Sequence, residues 1–142
     1  MTEKPTIEMS RYCVPFTPFR GPLEEATVMI VSTAGVHHVE DPPFDTEGDT
    51  SFRAIPGDAT AADLRVADTH YDHDCIDKDV NCVFPIDRLY ELAEERRIRA
   101  VAEKHFSLGF TQALRQLRDE TTPRLVREVE RLRPDAVLLT GG

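Results

Sequence analysis

The sequence contains no apolar run long enough to cross a membrane. A membrane-spanning helix needs about 18 or more largely apolar residues, and the 142 residues hold no such run. The N-terminal residues include Glu3, Lys4 and Glu8, and they lack the apolar core of a secretory signal. We therefore expect a cytoplasmic protein without a membrane partner.

Cysteines are few, and their spacing is unlike that of disulfide-rich or zinc-binding proteins. Cys13, Cys75 and Cys82 are odd in number and form no Cys-x-x-Cys pair. A disulfide-stapled secreted domain is therefore not expected, and the thiols are predicted to be reduced.

Positive charge is also scarce. The net charge is −9, and residues 40–79 hold 12 acidic and 3 basic residues, an excess that equals the net charge of the chain. A surface of this kind repels phosphate backbones. Nucleic acid is therefore excluded as an expected partner.

Apolar residues make up 40% of the chain, which is enough for one domain with a core, and we predict a single α/β domain over residues 1–142. The β-branched run Thr27 to Thr33 predicts a buried strand. Residues 36–62, rich in Pro, Gly and Asp, predict a long acidic loop with a short edge strand at 52–55. Leu64 to Val66 predicts another short strand.

The second half has the period of helices. Apolar residues three and four apart predict a helix from Pro85 to about Arg97, and others follow near 110–117 and at 122–132. Thr122 and Pro123 have the order of a helix cap and a first helical residue, and Pro134 ends the pattern. Asp135 to Thr140 then predicts a strand.

A helix followed by a short turn and an apolar strand is typical of parallel sheets. We therefore predict a small, open, mostly parallel sheet of Rossmann-like, three-layer type. A helix is expected after the last strand, so the fold is predicted to be C-terminally incomplete, with an uncovered strand that could contact a partner.

Ligands of open parallel sheets bind at the carboxyl ends of the strands. The candidate substrate-binding residues therefore follow the first and last predicted strands, and they are Thr33, Gly35, His37, Gly141 and Gly142. Gly35 and the final glycine pair would let the backbone turn tightly or approach a ligand.

A polar segment follows the predicted strand at 64–66. His70, Asp72 and His73 are candidate catalytic residues, because a histidine beside a carboxylate can donate or accept a proton near neutral pH. The same residues with Cys75 have side chains that bind metals, although their spacing matches no standard zinc pattern. A metal-binding protein or metal-dependent enzyme therefore remains an alternative, beside a solvated acidic loop.

Four segments together resemble the glycine/sarcosine/betaine/D-proline reductase family, in the selenoprotein B type subunits. They are Pro15-Phe16-Thr17-Pro18-Phe19, Val31 to His37, Asp79 to Leu89 and Pro134 to Leu139. The resemblance covers residues from about 15 to 142, and the segment Asn81-Cys82-Val83-Phe84-Pro85-Ile86-Asp87-Arg88-Leu89 is its most specific part. Arg99 departs from the family pattern, which usually has glycine there.

The resemblance implies an oxidoreductase that cleaves a C–N bond of a small amine or amino-acid-like substrate. It also implies a selenocysteine or cysteine nucleophile directly after Gly142, so the chain is expected to stop before an unread selenocysteine codon and to be inactive. No other cofactor is expected. The expected electron source is a thiol donor or a partner protein, and a homo-oligomer is possible. A non-catalytic partner subunit is a further alternative, supported by the uncovered last strand.

Overall fold

The computed structural model of the protein describes Phe19 and residues 21–141. Gly142 and most of the segment from Pro15 to Phe19 lie outside the described residues. Within those residues, no helix has the length and apolar character needed to cross a membrane.

A five-stranded, mixed sheet forms the centre of the fold. Its strands are β1 (Thr27–Ser32), β3 (Phe52–Pro56), β5 (Ala100–Val101), β6 (Lys104–Leu108) and β7 (Ala136–Thr140), and a separate pair consists of β2 (Val36–His38) and β4 (Leu64–Val66).

The described helical elements are mostly short. Helix α1 (Ile86–Glu94) precedes β5, and α2 (Leu114–Gln116) continues through a π-helical turn (Leu117–Thr121) into α3 (Thr122–Leu132). Three 3₁₀ turns lie at Leu23–Glu25, Ala61–Asp63 and Val80–Cys82.

Strand β1 has partners on both of its edges. On one edge it pairs with β7 in parallel from Val28↔Ala136 to Ser32↔Thr140. On the other edge it pairs in parallel with β5 and then with β6. Strand β3 pairs antiparallel with the far edge of β6. The prediction of a mostly parallel open sheet is confirmed, and the Rossmann-like, three-layer description stays a prediction.

Side chains alternate across β1, so its two faces contribute to two apolar clusters. Val28 and Ile30 pack in one cluster with Phe84, Ile86 and Leu89 from α1 and the turn before it. Met29 packs in the other cluster, whose other buried members are Ala102, Phe106, Leu108 and Leu125. Burial of both faces accounts for the continuous apolar run that predicted this strand.

A bulge separates β5 from β6. From Val28 to Val31 strand β1 advances three residues, while the opposite chain advances five, from Val101 to Phe106. The extra residues interrupt the backbone hydrogen bonds between the two strands, and the side chain of His105 supplies the acceptor that is missing there. Its Nδ1 accepts the Ile30 amide hydrogen at 2.9 Å.

His105 is completely buried and lies edge-to-face with Phe84, with ring centroids 5.9 Å apart. Because Nδ1 accepts a hydrogen bond, the neutral ring carries its proton on Nε2, and protonation of Nδ1 would break the bond to Ile30. Burial lowers the pKa of His105 to about 4.

The structure differs from the sequence-based predictions at three points. The loop predicted at 36–62 contains the unpredicted strand β2, the strand β6 was not predicted either, and β3 lies where the short edge strand at 52–55 was predicted. Thr122 does not cap a helix, since its hydroxyl donates to the Leu117 carbonyl at 2.8 Å inside a continuing helix. Pro123 has no amide hydrogen to continue the α-helical pattern, which accounts for the π-helical turn before it.

We predict that His105 makes stability depend on pH. Its pKa is lower in the folded protein than in the unfolded chain, where it is near 6.5, so the unfolded chain binds more protons between these values. Acidification from about pH 7.5 to about pH 4 should therefore remove about 3 kcal/mol of stability through this one group.

Urea unfolding of the unchanged protein and of His105→Asn at several pH values tests this prediction. The variant should be less stable at neutral pH, because it lacks the imidazole, and its stability should fall less on acidification. Parallel pH dependence of the two proteins would contradict the assignment, since the carboxylates that titrate in the same range are common to both.

Candidate functional site

The carboxyl ends of β1, β6 and β7 lie at the same edge of the sheet. A cleft of about 310 Å³ lies at this edge. Its lining combines the end of β6, residues that follow β1, β4 and β6, and the first residue of the π-helical turn. The described lining residues are Thr33, Asp68, His70, Tyr71, Leu108, Gly109, Phe110, Thr111 and Leu117. The cleft is therefore at the position where open parallel sheets bind ligands.

Two of the predicted substrate-binding residues meet at this edge. The Thr33 amide donates to the Thr140 carbonyl at 3.1 Å, which extends the pairing of β1 and β7 by one step. A Cβ atom on Gly141 would lie 3.3 Å from Thr33 Oγ1. Thr33 lines the cleft, and Gly141 lies directly beside it.

The turn before α1 holds these strand ends together. The Val83 carbonyl accepts the Thr140 hydroxyl at 2.6 Å and the Ser32 hydroxyl at 3.3 Å. Asn81 stabilises the turn, because its side chain donates to Asp87 at 3.0 Å and accepts the Asp87 amide hydrogen at 3.1 Å. The segment with the most specific family resemblance therefore supports the ends of β1 and β7.

Gly35 lies behind the cleft rather than in its lining. Its φ is +69°, in the left-handed region that favours glycine. Its amide donates to the Leu108 carbonyl, and its carbonyl accepts the Ala67 amide hydrogen, both at 2.9 Å. Gly35 thus links the loop after β1 to the end of β6 and to the segment that carries Asp68.

His37 is not among the residues that line the cleft. The chain turns back at Gly35 into β2, where His37 pairs with Arg65 of β4 and is 7% exposed. Its Nδ1 lies 2.9 Å from the His38 carbonyl oxygen, which makes Nδ1 the donor.

His70 and Asp68 form a hydrogen-bonded pair in the cleft wall. Asp68 Oδ1 accepts the His70 amide hydrogen at 2.7 Å and lies 3.1 Å from His70 Nδ1. The side chain of Asp68 is 4% exposed and that of His70 is 40% exposed. The carboxylate favours the proton on Nδ1, which leaves Nε2 as the ring nitrogen available to a ligand.

Phe110 fixes the plane of this imidazole. Its ring stacks on His70 with the centroids 3.4 Å apart and the planes at 16°. Phe110 follows β6, whereas His70 follows β4, so the stack joins two parts of the chain across the cleft.

Tyr71 closes another side of the cleft and is held as a hydrogen-bond donor. Its hydroxyl donates to the Ala34 carbonyl at 2.6 Å. Burial, together with the charge of Asp68, raises the pKa of Tyr71 to about 12. Tyr71 therefore stays protonated in the neutral range.

His73 and Asp72 are not in the cleft lining. The His73 ring lies 4.8 Å from the ring of Tyr71, and its Nε2 is buried without a hydrogen-bond partner among the described residues. Asp72 is exposed and accepts the Asp74 amide hydrogen at 3.0 Å in a local turn. Of the three predicted catalytic residues, only His70 therefore lines the cleft.

The metal-binding alternative gains no support from these positions. In the described part of the chain, no three His, Cys, Asp or Glu side chains come together as metal ligands. Cys75 and Cys82 are exposed free thiols and do not line the cleft.

Sequence reasoning missed Asp68, Tyr71 and Phe110. Asp68 lies two residues before His70 and just after the predicted strand at 64–66, so the Asp-x-His spacing at a strand end was a usable signal. Phe110 had no such signal, because its position depends on the unpredicted strand β6.

Comparison with known proteins yields one informative similarity. No family model matches the chain, and no solved structure matches it. The chain is similar to a subunit of an amino-acid reductase, which confirms the resemblance to the glycine/sarcosine/betaine/D-proline reductase family.

The relative is D-proline reductase subunit gamma of Acetoanaerobium sticklandii, and the two sequences are 41% identical over 130 residues. The alignment covers 89% of this chain and 53% of the relative, so the chain spans about half the length of that curated protein.

We predict that Gly35→Ala strongly destabilises the protein. A Cβ atom there would lie 2.6 Å from the Ala67 carbonyl oxygen, in a backbone conformation that alanine rarely adopts. Strain and overlap together should cost at least about 3 kcal/mol. Chemical unfolding measures this loss.

Gly48→Ala is the matched control, because Gly48 also has a positive φ, but a Cβ atom would meet nothing within 4 Å. Its loss should stay below about 2 kcal/mol. Equal losses at the two positions would show that the contact with Ala67 is not what constrains Gly35.

Proposed function

We propose that this chain is a subunit of a reductase that cleaves a C–N bond of a small amine or amino-acid-like substrate, and that the cleft receives this substrate. The similarity to a D-proline reductase subunit carries the proposal. The location of the cleft at the carboxyl ends of β1, β6 and β7 supports it.

His70 is the proposed proton donor. Reductive cleavage transfers two electrons to the substrate, and the nitrogen needs a proton to leave as an amine. The stack on Phe110 and the hydrogen bond to Asp68 hold the His70 ring in one orientation. In the imidazolium form of His70 both ring nitrogens carry a proton, and Nε2 donates its proton to the leaving nitrogen. A fixed donor within reach of the leaving group is the arrangement that general acid catalysis requires.

The electrons are proposed to come from a selenol or thiol nucleophile that is not among the described residues lining the cleft. Such a nucleophile attacks the activated carbon as the nitrogen leaves, and a second thiol then releases the carbon, which takes up a proton. The resulting bond between the two chalcogen atoms is reduced by a thiol electron donor or partner protein, which restores the nucleophile. The position of Gly141 beside Thr33, which lines the cleft, supports a nucleophile at the carboxyl end of β7.

A second candidate function is that of a non-catalytic subunit that docks a partner. The exposed apolar side chains of β7 favour it, since Val137 and Leu138 are each 39% exposed and Leu139 is 75% exposed. Three exposed apolar residues in one edge strand are typical of a surface that another chain or segment covers.

We predict that His70→Ala, in the assembled reductase with the complete subunit, lowers kcat by about a hundredfold, the scale of general acid catalysis. The assay measures amine release from the substrate with a dithiol as electron donor. His38→Gln is the control, because His38 lies in β2, away from the cleft, and it should keep the activity within about twofold.

The same assay separates the two candidate functions. Full activity of His70→Ala would overturn the catalytic role of the cleft. If Leu139→Glu then released the subunit from its complex and abolished activity, the non-catalytic function would be the correct one.

A further inference from the structure

The loop between β2 and β3, residues 39–51, contacts the chain just beyond the end of β6. The loop holds five acidic residues and no basic one, and Phe44 is its single buried residue, at 3% exposed. Phe44 lies against Gly109, where an added Cβ atom would stand 2.8 Å from the Phe44 ring. The Asp49 amide donates to the Phe110 carbonyl at 2.8 Å. The loop therefore contacts both residues that follow β6.

Arg53, in β3, contacts the two loop residues that make these contacts. Its guanidinium carbon lies 4.3 Å from the centroid of the Phe44 ring, and its Nη2 lies 3.5 Å from Asp49 Oδ2. A cation over an aromatic face is attracted to it. The side chains of Arg53 and Asp49 are only 18% and 17% exposed, so water screens their ion pair less than a surface pair. Arg53 thus supplies the positive charge that the loop itself lacks.

The hydrogen bonds of Arg53 hold the loop on both sides of Phe44. Nε donates to the Pro42 carbonyl at 3.1 Å, and Nη2 donates to the Pro43 carbonyl at 3.4 Å. Nη1 donates to the Ser51 hydroxyl at 2.6 Å. A planar guanidinium can make all of these bonds at once, and a side chain with fewer donors cannot.

Phe110 connects this arrangement to the cleft. Gly109 does not have a positive φ, so the space occupied by Phe44, rather than the backbone conformation, favours glycine there. The backbone just before Phe110 is therefore in direct contact with the loop. The Phe110 ring in turn stacks on His70, with the centroids 3.4 Å apart and the planes at 16°.

We propose that Arg53 is a positioning residue for the proton donor: it holds the loop of residues 39–51 against Gly109 and Phe110, and the ring of Phe110 then keeps the His70 imidazole in one plane. Arg53 is not among the residues that line the cleft, so it acts through its neighbours. This role rests on the proposed function, in which His70 donates the proton.

Arg53→Gln and Gly109→Ala change two different contacts in this arrangement. The first removes the cation and most of its donors, and the second places a methyl group 2.8 Å from the Phe44 ring. Both should loosen the stack of Phe110 on His70. Ring protons of His70 that lie over Phe110 are shifted upfield by its ring current, so in NMR spectra of the variants we expect these signals to move downfield. Spectra of His70→Ala identify the signals by their loss.

Arg131→Gln is the matched control for Arg53→Gln. Arg131 lies in α3, where it pairs with Glu128 at 2.6 Å, and its substitution removes the same charge. The His70 signals should therefore stay in place in this variant. Thermal melts check that each variant is folded. Should Arg53→Gln not fold, Gly109→Ala gives the same test at the other end of the contact with Phe44.

Kinetics in the assembled reductase, with the complete subunit, give a second measurement. Arg53→Gln should lower kcat by about tenfold or more and leave KM within about twofold, because a misplaced donor slows the departure of the nitrogen rather than binding. The loss should not exceed that of His70→Ala. In a protein that already carries His70→Ala, Arg53→Gln should lower kcat no further, since both changes remove the same contribution.

A purely structural role of Arg53 would give different results. It would lower stability, but the His70 signals of the folded protein would stay where they are. Unmoved His70 signals in folded Arg53→Gln would overturn the proposal. Unchanged kcat in this variant would do so as well, and so would an equal loss of kcat with and without His70.

These outcomes are separate from the test of the proposed function. Loss of activity in His70→Ala, with unmoved His70 signals in Arg53→Gln, would keep the reductase function and reject the role of Arg53. Full activity of His70→Ala, with His70 signals that move in Arg53→Gln, would reject the catalytic role of the cleft and keep the structural connection from Arg53 to His70.

Discussion

The hydrogen bond from the Ile30 amide to His105 Nδ1 determines how the central strand meets its neighbour. It stands where the ladder between β1 and β6 is interrupted, and it satisfies a buried amide that would otherwise have no acceptor. If β6 continued the register of β5 without the bulge, Ser32 would face residue 105, whereas it faces Ser107. Phe110 would then lie two residues, or about 6.6 Å, farther along the sheet, away from His70. The stack that defines the cleft therefore depends on a buried imidazole outside the cleft.

Gly35 connects β6 to the opposite wall of the cleft, so the register of β6 also determines the position of that wall. Its two backbone hydrogen bonds join the end of β6 to the strand that leads to Asp68, so the carboxylate and Phe110 are located from the same point. The left-handed conformation of Gly35 and its close approach to Ala67 leave no room for a side chain. In the described arrangement Gly35 therefore has a backbone role, and its contact with substrate stays a prediction.

The sequence predicted the strands whose apolar residues form continuous runs, and it missed the elements whose buried residues are polar. Strand β1 and strand β7 are apolar runs bounded by turn residues, and both were predicted within two residues of their bounds. Strand β6 escaped because His105 and Ser107 are polar yet buried, so its pattern does not look apolar. Asp68 looked like one more solvated acid in a segment that holds 12 of them, and only the fold shows that it is buried. His37 was placed near the site because it follows β1, but a turn at Gly35 sends it into another sheet.

Different residues support the strand ends and line the cleft. The segment with the most specific family resemblance belongs to the first group. Asn81 and Asp87 fold a turn whose Val83 carbonyl receives the hydroxyls of Ser32 and Thr140, so this turn holds the ends of β1 and β7 side by side. None of the residues of the turn lines the cleft that contains His70. The resemblance of this turn to the reductase family therefore concerns the way in which the ends of β1 and β7 are held together. The orientation of His70, the proposed proton donor, depends instead on Asp68 and Phe110.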